Sequence, residues 1–169
     1  MKLLMVIAAM LGAATATPAN DWKLTPEGWG PVRIGMTRSQ VTKALNTELV
    51  GDAFDNEGRC IELYAPDDAL PGMFFMFLDG KLSRISATKP NIKTPRNIGI
   101  DSTAAEVRKA YGGKLQAEPI YYIGDPPGEY LTYWIRPKPR GVRFEIGPTG
   151  SVATIDAGIL SIQHVEGCA

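Results

Sequence analysis

The stretch "IGMTRSQVTKAL" (Ile34–Leu45) has a relaxed copy 66 residues further on, "IDSTAAEVRKAY" (Ile100–Tyr111). Aligned without gaps, the two share Ile, Thr, Val, Lys and Ala at five of twelve positions. Identity at that level can arise by chance, but the chemistry of the matched positions adds to it. Each copy holds a threonine followed three residues later by an amide or an acid: Thr37-x-x-Gln40 and Thr103-x-x-Glu106. That is a capping box, in which the hydroxyl accepts a free backbone N–H and the longer side chain reaches back. Apolar residues follow at helical spacing, Val41, Ala44 and Leu45 in one copy and Val107, Ala110 and Tyr111 in the other. Gly112-Gly113 is a natural stop. Each copy therefore predicts a short capped helix led in by an extended isoleucine, with Thr37, Gln40, Thr103 and Glu106 as structural residues.

A second correspondence follows each helix. "FLDGKLSRISA" (Phe77–Ala87) turns at Gly80, and "IGPTGSVATIDA" (Ile146–Ala157) turns at Gly150, 70 residues later. Asp79-Gly80 is a strong hairpin signal, because glycine accepts the positive φ of tight turns. "RCIELYA", "GMFFMFL" and "KLSRISA" read as strands of the first half, and "IYYI", "EYLTYWI", "VRFEI" and "VATIDAGILSI" as strands of the second. Prolines punctuate between them, and "KPNIKTPRN" (Lys89–Asn97) is the joint. The expected fold is α+β: two tandem αβββ-type repeats, residues 20–93 and 94–169, forming one curved antiparallel sheet with short helices on one face. The two repeats are expected to make one compact domain.

Length and composition agree with that size. The chain has 169 residues, 44% apolar and 21% charged, with a formal net charge of zero. No basic stripe points to nucleic acid. Lys2, the apolar run "LLMVIAAMLG" and the small residues of "AATATPA" read as a secretory signal, cleaved after Ala16 or Ala19. The run is too short for a spanning helix. No cysteine follows it, so no lipid anchor or stable membrane insertion is expected, and the mature protein is placed in a periplasm or outside the cell. In an oxidising compartment the only two cysteines, Cys60 and Cys168, favour a disulfide. Two free thiols are the alternative.

The opening "GWGPVRIGMTRSQV", the second element "DSTAAEVRKAYG", the hairpins between them and the terminal "EGC" resemble small secreted bacterial proteins of the β-lactamase-inhibitor-protein-like type. The opening is also similar to small outer-membrane assembly lipoproteins that share the half-fold. The resemblance covers most of residues 28–168. It implies tandem repeats whose helices back a curved sheet, an open concave face that grips a protein, and pairing of Cys60 with Cys168. The chain departs from the pattern at Asp101, where glycine is typical, and in lacking the lipoprotein cysteine.

Catalytic signals are weak. His164 is the only histidine, and no GxSxG elbow offers it a nucleophile. There is no CxxC pair and no HExxH, and one histidine does not build a typical zinc set. "DAFDNEG" (Asp52–Gly58) has the wrong spacing for a calcium loop and reads as a solvated loop. The chain is therefore expected not to be an enzyme and to need no cofactor.

Three features remain for binding. "MFFMF" (Met73–Phe77) is apolar on both alternating faces, which suits a strand covered on both sides or an apolar open face. "EYLTYWI" puts Tyr130, Thr132 and Trp134 on one face and Leu131, Tyr133 and Ile135 on the core face. The first set suits either an interface or a half-buried strand. "RPKPRGVR" supplies Arg136, Lys138 and Arg140, a solvated loop tip or a patch that steers an acidic partner. With Tyr122, these residues form the candidate binding face: Tyr122, Tyr130, Trp134, Arg136, Lys138 and Arg140. The expected partner is a protein; the alternative is a glycan or small ligand stacked on Tyr130 and Trp134.

Overall fold

Both capping boxes close. The Thr37 backbone N–H donates to Gln40 Oε1 at 2.9 Å, and the Gln40 N–H returns to Thr37 Oγ1 at 3.3 Å. The Thr103 N–H donates to Glu106 Oε2 at 2.7 Å, and the Glu106 N–H to Thr103 Oγ1 at 3.2 Å. They start α1 (Arg38–Leu45) and α2 (Ala104–Tyr111). Helix α1 ends on Asn46 in the left-handed region, and α2 ends on Gly112.

The computed structural model describes residues 21–51, 58–66, 69–122, 127–137 and 139–168. The expected signal segment and residues 52–57 of the acidic loop lie outside them. Among the described residues the strands form two antiparallel sheets. A small one orders β1 (Leu24–Thr25), β2 (Gly28–Trp29) and β3 (Val32–Arg33) consecutively. The large one comprises β4 (Cys60–Tyr64), β5 (Met73–Leu78), β6 (Lys81–Ala87), β7 (Leu115–Ile120), β8 (Gly128–Ile135), β9 (Arg140–Ile146) and β10 (Val152–Gly158). Its order is β4-β5-β6-β10-β9-β8-β7. The protein is thus a mixed α+β fold with few short helices.

Three details differ from the sequence reading. The strand expected at "IYYI" lies earlier, at β7, and Tyr121 and Tyr122 form the turn after it. Pro119, read as punctuation, sits inside β7; an edge strand tolerates its missing N–H. The last strand stops at Gly158, and Leu160–Gln163 forms a 3₁₀ turn. The second half thus contributes four strands to the large sheet, the number read from its sequence and one more than an αβββ unit holds, and the 24–33 sheet had no sequence reading.

Each helix lead-in is clamped to the strand that follows a glycine turn. The Gly35 N–H donates to Leu82 O at 2.7 Å, and the Leu82 N–H to Met36 O at 2.7 Å. The Asp101 N–H donates to Val152 O at 3.0 Å, and the Val152 N–H to Ser102 O at 2.8 Å. Gly35 (φ 93°) and Asp101 (φ 68°) both take the left-handed backbone this clamp requires. Aspartate is among the few residues that visit it at modest cost.

Alternation along the strands then builds one core face. Leu63, Phe75, Ile85, Ala157, Val142, Tyr133 and Leu115 align across all seven strands. Val41 of α1 and Val107 and Tyr111 of α2 join the same buried cluster, as do Leu24, Trp29 and Val32 of the small sheet. A side chain such as Phe75 or Phe144, fully buried here, is worth about 1.5–3 kcal/mol.

The two halves meet where β6 pairs with β10, from Ala87↔Ile155 to Arg84↔Gly158. The approach is close at its end: a Cβ on Gly158 would lie 2.1 Å from the Ser83 carbonyl oxygen. Gly158→Ala is therefore expected to cost about 2–3 kcal/mol by forcing strands apart, measured as a fall in the denaturant midpoint at constant slope. Cys60 and Cys168 form a disulfide with Cα atoms 5.5 Å apart, spanning 108 residues. Replacing both cysteines with serine is expected to lower stability by about 2–4 kcal/mol, read by the same titration.

Candidate binding face

The strand positions that alternate with the core residues project to the other side of the large sheet. Across all seven strands one row there reads Tyr64, Phe74, Ser86, Asp156, Arg143, Thr132 and Gln116. The next row reads Glu62, Met76, Arg84, Gly158, Gly141 and Trp134. This face is charged at its centre, and the charges are paired.

Arg84 is the hub of one cluster, with its side chain only 6% exposed. Its Nη2 donates to Glu62 Oε1 at 3.3 Å, and its Nη1 to the carbonyls of Ser161 (3.3 Å) and His164 (2.8 Å). Its Nε lies 3.8 Å from Asp156 Oδ1, and that oxygen accepts the Ser86 hydroxyl. Removing one partner of such a set would strand a charge in low dielectric, at a cost of about 3–5 kcal/mol.

Arg143 is the hub of the second. Its guanidinium stacks 3.7 Å from the Tyr130 ring centroid and pairs with Glu118 at 3.2 Å. The Tyr130 hydroxyl shares a 2.7 Å hydrogen bond with that of Tyr122. Burial, then that bond, raises the Tyr130 phenol, so it stays protonated. Thr132 lies beneath, buried, its hydroxyl without a hydrogen-bond partner.

The C-terminal segment crosses the Arg84 end of this face. Ile159 N–H bonds to Ser83 O. Ile162 is buried over Gly141, where a Cβ would lie 3.1 Å from Ile162 Cδ1 and 2.8 Å from the Trp134 ring. Gly167 lies against Glu62, and the disulfide fixes the end. Met76, between Glu62 and Arg84 in register, is buried for this reason. Thus the "MFFMF" strand is covered on both faces near Met76, by the core on one side and the tail on the other.

The sequence-predicted residues are dispersed along this face. Tyr122 is 66% exposed at the tip after β7, beside Tyr121 at 83%. Tyr130 is buried under Arg143, leaving Tyr122 as the accessible ring of the pair. Trp134 is half-buried, and its Nε1–H donates to Gln116 Oε1 at 3.1 Å. Arg136 is exposed and borders a cavity of about 430 Å³ beside Trp134. Arg140 pairs with Ile135, and alternation directs it to the opposite side from Trp134. It therefore does not join Arg136 on this face. Lys138 lies outside the described residues. The His164 side chain is exposed, and its backbone carbonyl serves Arg84.

Sequence reasoning missed Arg84, Ser86, Glu118, Arg143, Glu145 and Asp156. The signal was present: each is a polar residue at an alternating strand position. Their grouping depends on the non-local order β6-β10-β9-β8-β7. Among the described residues no group of three or more His, Cys, Asp or Glu is placed to hold a metal ion.

No protein-family model matches the chain, and no curated protein matches it. Its structure is similar to the crystal structure of the uncharacterized protein yfeY from Escherichia coli. The TM-score is 0.53 at 16% sequence identity, over 80% of this chain and 99% of that one. At that identity the likeness concerns the fold alone.

Two carboxyls of this face, Asp156 and Glu145, are raised above the ordinary carboxylate range. Burial raises Asp156, opposed by Arg84 and the Ser86 hydrogen bond. Burial and then the Asp156 charge raise Glu145. A raised carboxyl binds its proton more tightly folded than unfolded, so its contribution to stability falls as pH rises from the unfolded value through the folded one. Asp156→Asn removes one such group. The difference in unfolding free energy, wild type minus Asp156→Asn, should therefore fall as pH rises above the ordinary aspartate value. Denaturant titrations across that rise check it, and a difference independent of pH would contradict it.

Proposed function

We propose that this chain is a secreted or periplasmic, non-catalytic protein that recognises another protein through the face opposite its helices. The observation that carries this reading is the Arg143 cluster. A buried guanidinium is held between Tyr130 and Glu118, and the chain of contacts ends at the exposed rings of Tyr122 and Tyr121. Aromatic and arginine side chains so arranged are typical of the residues that dominate protein interfaces. Holding them in pairs before binding reduces the ordering cost of association. Three acids of the face, Glu62, Asp156 and Glu118, are paired with Arg84 and Arg143, and Arg136 stands exposed at one end.

The disulfide is compatible with an oxidising compartment, and no helix of the described residues is long and apolar enough to cross a membrane. With the N-terminal signal, these support secretion. We further propose that the fold is a tandem pair of related units of the β-lactamase-inhibitor-protein-like kind, sharing its half-fold with outer-membrane assembly lipoproteins. The matched capping boxes and the matched clamps at Gly35–Leu82 and Asp101–Val152 support that relation. A second reading, recognition of a glycan, is favoured by the cavity beside Trp134.

The protein reading is tested by crosslinking capture from an envelope extract with the disulfide-intact chain. Tyr122→Ala and Glu118→Lys, both exposed, should each lose a captured protein that the wild type retains. Lys109→Ala on the outer side of α2 should keep it. Identical recovery by all four proteins would reject the face as the binding surface.

A further inference from the structure

We propose that the cavity beside Trp134 is a binding site for a carboxylated sugar ring, a hexuronic acid unit of a glycan. It goes beyond protein recognition by the Arg143 cluster and deepens the glycan reading. It rests on side chains at the other end of β8.

The cavity measures about 430 Å³, within the range of roughly 300–1,000 Å³ common for small-ligand sites. Three segments enclose it. Gln116 and Trp134 come from β7 and β8, Arg136, Pro137 and Pro139 from the connection to β9, and Leu160 and Gln163 from the C-terminal segment. The indole, two pyrrolidine rings and the leucine supply flat apolar surface. Among the described residues the polar groups are an arginine and two carboxamides, and no carboxylate lines the cavity.

The hydrogen-bond inventory narrows the ligand. Trp134 Nε1–H donates to Gln116 Oε1 at 3.1 Å, which holds the ring and assigns the amide. The Gln116 NH₂ keeps two donors free. Neither the Arg136 guanidinium nor the Gln163 amide has a protein hydrogen-bond partner among the described residues. The site therefore offers a cation, donors in excess and one more amide able to donate and accept. It asks for an anion, several hydroxyls and an apolar ring face together. A neutral sugar supplies the last two and leaves Arg136 without a counter-charge. An aromatic acid supplies the charge and the face but no hydroxyls for the carboxamides. A uronic acid supplies all three, and arginine matches its carboxylate in a fork geometry.

The wall formed by the C-terminal segment is rigid. Gln163 lies between Ser161 and His164, the two residues whose carbonyls accept from Arg84. Ile162 is anchored over Gly141, and Cys168 is bonded to Cys60. The cavity is thus shaped before a ligand arrives, which favours affinity.

Calorimetric titration of the disulfide-intact chain tests this. The probes are oligosaccharides of galacturonate, glucuronate and mannuronate, their carboxyl-reduced neutral counterparts, and an acidic hexapeptide. At least one uronate should bind saturably, and its carboxyl-reduced form should bind about tenfold more weakly or worse. Arg136→Gln, an exposed loop substitution, should bring the uronate to the level of the neutral sugar. Trp134→Ala should abolish both. The proposal is overturned by absence of saturable uronate binding at about millimolar ligand, by equal binding of charged and reduced sugars, or by unchanged binding in Arg136→Gln. It is equally overturned if the hexapeptide binds as tightly as the best uronate. None of these outcomes bears on capture of a protein through Tyr122 and Glu118, so the two readings fail separately.

Discussion

The structure depends on the antiparallel pairing of β6 with β10. Without it the first half holds three strands and the second four, each with an exposed edge and an incompletely covered apolar face. With it, seven strands share one core, and Ile85 and Ala157 sit side by side at its centre. The pairing joins residues some 70 positions apart, so it carries a loop-closure cost that local helix and hairpin formation do not. The burial of Phe75, Ile85, Phe144 and Ile155 offsets that cost. Gly158 permits the approach at its tightest point, where any side chain would meet the Ser83 carbonyl.

The same pairing creates the charged face. Ser86 meets Asp156 across it, and Arg84 meets Gly158, so Arg84 has no bulky neighbour there and reaches Glu62, Asp156 and the tail together. Buried ion pairs of this kind add little net stability, because desolvation consumes most of the attraction. Their consequence is geometric. Each guanidinium is held by several acceptors or rings, so the face presents fixed positions, and fixed positions suit recognition.

The C-terminal segment is the second organising element of that face. It caps Arg84, buries Met76, fills the depression over Gly141 and walls the cavity beside Trp134. A tail held to β6 by three hydrogen bonds of 2.8–3.3 Å would fray alone; the disulfide to Cys60 holds its end. The tail divides the face in two, a covered end around Arg84 and an open end running from Trp134 to Tyr122.

The caps, turns and alternation were legible in the sequence, although Ile135, read on the core face, ends exposed at the tip of β8. The capping boxes of Thr37 and Thr103, the glycine turns at Gly80 and Gly150, the alternation within "RCIELYA" and "EYLTYWI" and the possible pairing of two cysteines each involve residues close in sequence or unique in it. The β7 strand was misplaced because exposure at a sheet edge leaves Gln116, Ala117, Glu118 and Pro119 without an apolar pattern. Only the tertiary structure decided which polar strand residues share a row, because strand order is a long-range choice that alternation does not encode. It alone brought Arg84 to Asp156, set Arg143 over Tyr130 and turned Arg140 away from Arg136. It also laid the tail across the sheet, since the course of a chain between two cysteines is set by the surface it packs on and not by its own composition.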